Sequence, residues 1–316
     1  MTKMRKSILL ICSVLLILLI TSCTPRGYNP EIRETYYIGT QGLVMKFIKN
    51  APPYKVYVGD KLDITVELWN RGAYPDSDIF DGFLVISGFD LSAIAGTWET
   101  GNIIPATLQG KSQFNPEGGY ATLTYEDIDG VTVPFDADKY PAEILVTACY
   151  RYKTLARPRV CIDPDPYSIV AEDKVCHVDD EGEISVEAGG QGAPIAVTSV
   201  KQEVGADRIY FRIYVSNVGG GRVIEPNAYN FCPFDLESDE INKVYATVTM
   251  SHDSNPICTP RGDPSDPIRL QDGRGYMFCS FTLPATGTAY WSQLHIILDY
   301  VYSQSIQTRV DIVNLR

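Results

Sequence analysis

Histidine is almost missing from this chain: three in 316 residues, His177, His252 and His295. None sits where imidazole chemistry would need it. Ser251-His252-Asp253 holds the residue types of a hydrolase triad, but neighbours on one extended segment cannot converge their side chains. No two cysteines form a C-x-x-C pair, which excludes the common zinc-ligand spacing. There is no G-x-S-x-G elbow, H-E-x-x-H helix or P-loop, and Gly219-Gly220-Gly221 opens no helix that could cradle phosphate. After residue 23 no convincing amphipathic helix appears, which argues against helical bundles and α/β layers. Basic residues are also scarce, 27 Lys and Arg against 39 Asp and Glu. An acidic surface repels phosphates, so nucleic acid is not an expected partner. These absences predict a non-enzymatic protein with no cofactor.

What is present begins with the leader. Lys3, Arg5 and Lys6 precede a nearly unbroken apolar run from Ser7 to Ile20, and Ile20-Thr21-Ser22-Cys23 closes it. This ending resembles the lipobox of secreted lipoproteins, in which a cysteine after small residues is lipidated and becomes the mature N-terminus. The run is shorter than the ~20 residues that span a bilayer comfortably. Residues 1–22 therefore read as a signal peptide, Cys23 as the lipidation site and 23–35 as an anchored linker; an uncleaved anchor or plain secretion are the alternatives. All three put the remainder outside the cytoplasm, with membrane lipid as its first partner. Without the leader's three basic residues, the formal charge of -12 becomes about -15.

The remainder repeats itself. Gly39-Thr40-Gln41-Gly42 returns as Gly189-Gly190-Gln191-Gly192, and Ile144–Ile162 returns as Leu294–Ile312, each 150 residues on. Tyr150 and Tyr152 thereby match Tyr300 and Tyr302. Asn70-x-Gly72 matches Asn217-x-Gly219 at a slightly smaller offset. Within each copy Leu62, Ile64, Val66 and Leu68, then Ile209, Phe211, Ile213 and Val215, alternate with polar or aromatic residues. That is the period of a half-buried strand. Ile144 to Tyr152 and Leu294 to Tyr302 supply further inward rows. The expected fold is all-β: two tandem antiparallel sandwiches at 36–170 and 178–316, with 171–177 as linker. A barrel is the alternative.

The stretch from Val56-Tyr57-Val58-Gly59-Asp60 through Trp69-Asn70-Arg71-Gly72 resembles the early strands of CARDB-like, immunoglobulin-like domains. Such modules are common in prokaryotic, especially archaeal, envelope proteins. The second copy keeps Asn217-Val218-Gly219 but has Ala206-Asp207 in place of the Gly-Asp lead-in. The resemblance implies tandem immunoglobulin-like domains; it says little of function, because such sandwiches host many roles.

Beyond Cys12 and Cys23, six cysteines remain, an even number that suits disulfides in an exported chain. Strand alternation with a turn near Leu155 predicts Cys149–Cys161, the Pro-rich loop predicts Cys258–Cys279, and elimination leaves Cys176–Cys232; partly reduced thiols are the alternative. Asp299 and Asp311 stand where the first copy has Cys149 and Cys161; if opposed like those cysteines they would repel unless a cation or base intervened, which makes them a weak ion site. Asp127, Asp129, Asp136 and Asp138 flank Gly130 and suggest a weak calcium site, although the EF-hand pattern is absent. His177 beside Cys176 is a second weak metal candidate. Trp69, Tyr210 and Tyr214 occupy outward positions, as a contact surface or a seal between domains. The sequence thus points to a cell-surface, lipid-anchored protein for adhesion, envelope assembly or scaffolding, with envelope proteins or glycans as partners. The alternative is a carbohydrate-binding module using the outward aromatics.

Overall fold

A computed structural model describes residues 36–75, 79–99, 101–135, 137–167, 174–178, 182–184, 190–251, 253, 255–285 and 287–315. The signal peptide, Cys23, the 23–35 linker and residues 171–173 of the second linker lie outside them. Tyr36–Arg316 forms one compact unit. Its first strands are β1 (Leu43–Phe47), β2 (Lys55–Tyr57), β3 (Ile64–Asn70), β4 (Gly82–Ser87), β5 (Gly96–Trp98), β6 (Tyr120–Asp127), β7 (Lys139–Ala156) and β8 (Arg159–Ile162). There follow β9 (Glu183–Ile184), β10 (Ile195–Val204), β11 (Arg208–Asn217), β12 (Arg222–Ile224), β13 (Lys243–Met250), β14 (Ile257–Thr259), β15 (Ile268–Arg269), β16 (Arg274–Thr282) and β17 (Tyr290–Val313). One 3-10 helix, Pro226–Phe231, is present among the described residues. No helix there is long and apolar enough to cross a membrane.

The fold is an all-β, sandwich-like assembly of three sheets. Their orders are β1-β3-β6-β5, β14-β16-β11-β10-β9 and β15-β13-β17-β7-β4, the last joined at β17 by β2, β8 and β12. The inward rows foreseen from the alternation are all buried, from Leu62 to Leu68, Ile209 to Val215, Ile144 to Tyr152 and Leu294 to Tyr302. They meet in a single apolar core that draws on both copies and all three sheets.

The copies, bounded at 36–170 and 178–316 on the sequence, are not set apart as two bodies. Their corresponding strands β7 and β17 pair with each other, from Ala156 opposite Ile296 to Lys139 opposite Val313. The turn expected near Leu155 does not form. Leu155 stays in β7 opposite Ile297, the Leu294 N–H donates to Pro158 O at 3.0 Å, and β8 continues in the same register with Cys161 opposite Trp291. The result is a 24-residue β17 running beside β7 and β8 in turn. Arg151 pairs with Val301, its own counterpart in the repeat. An approximate twofold axis therefore passes between them, the arrangement of an isologous dimer held within one chain.

On the core side of this axis lie four wholly buried tyrosines. Tyr150 faces Tyr302 and Tyr152 faces Tyr300, with ring centroids 5.9 and 6.3 Å apart. Buried hydroxyls need partners, and the repeated motifs provide them. Tyr152 Oη donates to Asn70 Oδ1 and Tyr302 Oη to Asn217 Oδ1, each at 3.0 Å. The Leu43 N–H donates to Tyr150 Oη (3.3 Å), and the Ile195 N–H to Tyr300 Oη (3.4 Å). Each asparagine also folds its amide back onto its own turn, from Asn70 Nδ2 to Tyr74 O and from Asn217 Nδ2 to Gly221 O, both 2.8 Å. The glycine of Asn-x-Gly is needed because the tyrosine packs there. A Cβ on Gly72 would lie 2.0 Å from Tyr152 Oη, and one on Gly219 2.7 Å from Tyr302 Oη.

Two predictions follow from this centre. Asn70 is wholly buried and Asn217 half-buried; Asn70→Ala also strands Leu108 O, bonded at 3.0 Å. Urea unfolding should show a loss of about 3 kcal/mol for Asn70→Ala against about 1 kcal/mol for Asn217→Ala, the difference between orphaning buried and wetted groups. Burial also raises the pKa of all four tyrosines. Between about pH 10, where unfolded tyrosine ionises, and the folded pKa, the native state holds the extra protons. Stability should be undiminished by this cluster below about pH 10 and fall steadily above it, with tyrosinate absorbance and loss of β circular dichroism rising together.

Candidate functional site

All six described cysteines are paired, as Cys149–Cys232, Cys161–Cys176 and Cys258–Cys279. The third is as expected. The Cys149–Cys161 and Cys176–Cys232 pairings are corrected, and the continuous strand is the reason. Cys149 lies opposite Ser303 and Cys161 opposite Trp291 on the same β17, about 40 Å apart at strand rise. The same geometry separates Asp299 from Asp311. Asp299 meets Lys153 at 3.3 Å and Asp311 meets Lys139 at 2.6 Å. The hydrogen bond from Lys139 holds the Asp311 carboxyl below the usual carboxylate range.

Cys149–Cys232 fastens the 3-10 segment of the second copy over the axis. Around it the Arg151 guanidinium meets Asp81 at 3.1 Å, donates to Pro226 O at 3.1 Å and lies 4.5 Å above the Tyr229 ring. Tyr229 Oη donates to Asp81 Oδ1 at 2.9 Å, and its ring sits 5.3 Å from Phe83. Burial first, then this bond to Asp81, raises the Tyr229 pKa. These groups close on one another and brace the two copies.

The calcium candidate does not assemble among the described residues. Asp127 is the inward last residue of β6, Asp129 and Asp138 are exposed, and Asp136 lies outside the described residues. No group of three potential metal ligands occurs among the described residues. Asp127 is 2% exposed, accepts from the Asp129 N–H at 3.3 Å and leaves Oδ2 without a hydrogen-bond partner. His177 borders a cavity of about 300 Å³ with Glu183, Gln202 and Trp291, where the Arg159 guanidinium lies 4.2 Å above the indole. Trp291 was not singled out from the sequence, because it opens β17 ahead of the matched block.

The predicted outward aromatics do face away from the core, and each meets a ring in its own sheet. Trp69 is half-buried against Tyr120 at 5.3 Å. Tyr210 stacks on Phe278 at 5.6 Å, and Tyr214 lies 6.4 Å from Tyr276. The β11–β16 register puts Arg212 opposite Phe278 and Tyr214 opposite Tyr276. This outer face thus alternates rings with Arg208, Arg212 and Arg274, an unusual concentration of cations in an acidic chain. The sequence signal for its β16 half is the outward alternation Tyr276, Phe278, Ser280.

Two cavities flank the tyrosine centre. One of about 330 Å³ lies between β1, the Gly219–Gly221 turn and Gln304–Ile306 of β17. Its counterpart, about 170 Å³, lies between Ala73–Tyr74, Gln191 and Thr154–Leu155 of β7.

No family model matches the chain, and no curated protein matches it. Among solved structures, a DUF4466 family protein from Parabacteroides merdae shares 13% identity over 82% of this chain and 99% of that one, with a TM-score of 0.18. Escherichia coli alpha-2-macroglobulin activated by porcine elastase shares 11% over 86% of this chain and 32% of that one, with a TM-score of 0.19. Likenesses at this level carry no argument.

Removing the Cys149–Cys232 bridge by Cys149→Ala with Cys232→Ala opens a loop of 83 residues, against 15 for Cys161–Cys176. Chain entropy predicts losses of about 4.5 and about 3 kcal/mol respectively, read from denaturant midpoints under non-reducing conditions. The first bridge should be the more costly to lose.

Proposed function

We propose that this chain is a lipid-anchored, non-enzymatic protein of the outer cell surface, built from two CARDB-like, immunoglobulin-type copies. It serves adhesion, envelope assembly or scaffolding. The reading is carried by the brace at the twofold axis: Cys149–Cys232 and the Arg151–Asp81–Tyr229 cluster bind the copies into one stiff body. Three disulfides are consistent with a location outside the cytoplasm. The leader, with Cys23 at its end, supports the anchor. A stiff tethered body is suited to presenting surface, because contacts made on it cost little ordering entropy.

A second reading, carbohydrate binding, is favoured by the Tyr210, Tyr214, Tyr276 and Phe278 face with its interleaved arginines. Flat rings stack on sugar faces, and arginine suits acidic saccharides.

The expected outcome in native cells is that Cys23→Ala moves the protein from the membrane fraction to the medium. Affinity capture of the anchored protein should recover one stoichiometric envelope protein. Recovery of glycans that Tyr214→Ala with Tyr276→Ala abolishes would favour the second reading. Unchanged membrane retention of Cys23→Ala would overturn the anchor.

A further inference from the structure

The duplication supplies an internal comparison at the outer edges of β1 and β10. In β1, Gly42 O accepts from the Arg71 N–H and the Ile48 N–H donates to Thr65 O. Even-numbered residues therefore face β3, and the main chains of Leu43, Met45 and Phe47 face the outer edge, which no described strand pairs. Leu43 is satisfied there: its N–H meets Tyr150 Oη and its carbonyl accepts from Gln304 Nε2. Ile195 in β10 is its counterpart, donating to Tyr300 Oη and accepting from Thr154 Oγ1 at 2.5 Å.

Two residues further on, the copies diverge. The Val197 N–H donates to Gln191 Oε1 at 2.9 Å, and Val197 O accepts from Gln191 Nε2 at 3.2 Å. The carboxamide of Gln191, 2% exposed, thus pairs with the edge as the backbone of another strand would. Beyond it β9 continues the pairing, Ile184 opposite Val200. Met45, the counterpart of Val197, is 7% exposed, yet its outward N–H and carbonyl have no hydrogen-bond partner among the described residues, and neither do those of Phe47. Gln41, the counterpart of Gln191, is exposed instead. The cause is length: Gln191-Gly192 reaches β10 through Ala193-Pro194, whereas Gln41-Gly42 enters β1 directly. Without those two residues Gln41 cannot fold back over the edge. The cavity left beside Met45 is about 330 Å³, against about 170 Å³ on the plugged side.

We propose that the outer edge of β1, unpaired among the described strands at Met45 and Phe47, together with its adjoining cavity, is a receptor for one extended peptide segment of a partner protein. The segment adds as an outer strand, taking up the Met45 and Phe47 main chain as Gln191 and β9 take up β10. Buried main-chain groups seek partners, and the second copy displays the chemistry that fits. The partner segment is acidic. Lys46 is exposed and, although Glu67 stands opposite it on β3, makes no ion pair among the described residues; Lys49 follows it, and both stand on a chain of net charge -12. A residue beside Lys46 on an added strand would gain from carrying a carboxylate. Lys46 also disfavours self-pairing of two β1 edges.

The inference rests on the reading of the chain as an interaction protein and names the partner class. Its test uses the full-length protein with a fluorescein-labelled nonapeptide of alternating valine and glutamate, and a twin N-methylated at every second residue. Saturable binding is expected, with amide shifts at Met45, Phe47 and Gly219–Gly221, and roughly tenfold or greater weakening for the twin, which cannot pair its edge. Inserting Ala-Pro between Gly42 and Leu43, copying the second copy, should let Gln41 plug the edge and abolish binding. The unmodified protein against the twin decides the matter even where the insertion disturbs folding. No saturable binding, equal binding of both peptides, or shifts confined to other surfaces overturns the proposal. If native-cell capture still yields an envelope partner, indifferent to the insertion, the interaction reading stands and the β1 receptor falls.

Discussion

The constraint on which the rest of this structure depends is the need of four buried hydroxyls for partners. Tyrosines at the centre of an apolar core are tolerated only when every Oη is satisfied. Here that requirement fixes the neighbours. Tyr152 and Tyr302 demand an asparagine at the end of β3 and β11, and a glycine two residues on that leaves room for the hydroxyl. Tyr150 and Tyr300 reach the first residue of β1 and β10 and set where those strands enter. One cluster thus positions elements of all three sheets. It lies at the one place where each copy meets its own equivalent, so every solution is used twice.

Much of this was legible in the sequence. The alternating rows were right in all four strands because a half-buried strand must alternate, whatever it pairs with. The repeat was visible for the same reason that the cluster is symmetric: Asn-x-Gly and Tyr-x-Tyr are two halves of one contact. What could not be read was which strand pairs with which. Period two identifies a face and is silent on partner, so β7 and β17 looked like members of separate sandwiches. They are neighbours over 18 residues.

The misplaced disulfides have a related origin. Alternation alone allows a turn near Leu155, and such a turn would bring Cys149 and Cys161 together. In the fold the carbonyl of Pro158 still accepts the next rung of the ladder, and proline is tolerated because its missing N–H falls at a break between strands. Cys149 then finds its partner through the tertiary approach of the 3-10 segment, information no local pattern holds. The Gln41 and Gln191 pair teaches the converse. They align without a gap, yet two added residues downstream give one a structural task and leave the other in solvent.

The long ladder has a mechanical consequence. Because β7 and β17 run side by side across both copies, a pull along their length loads the rungs together, in shear, and none can fail alone. Peeling from one end would break them singly, but at the axis Cys149–Cys232 ties β7 to the segment that follows β12, which itself pairs with β17. A body folded in this way carries tension along the ladder with little extension.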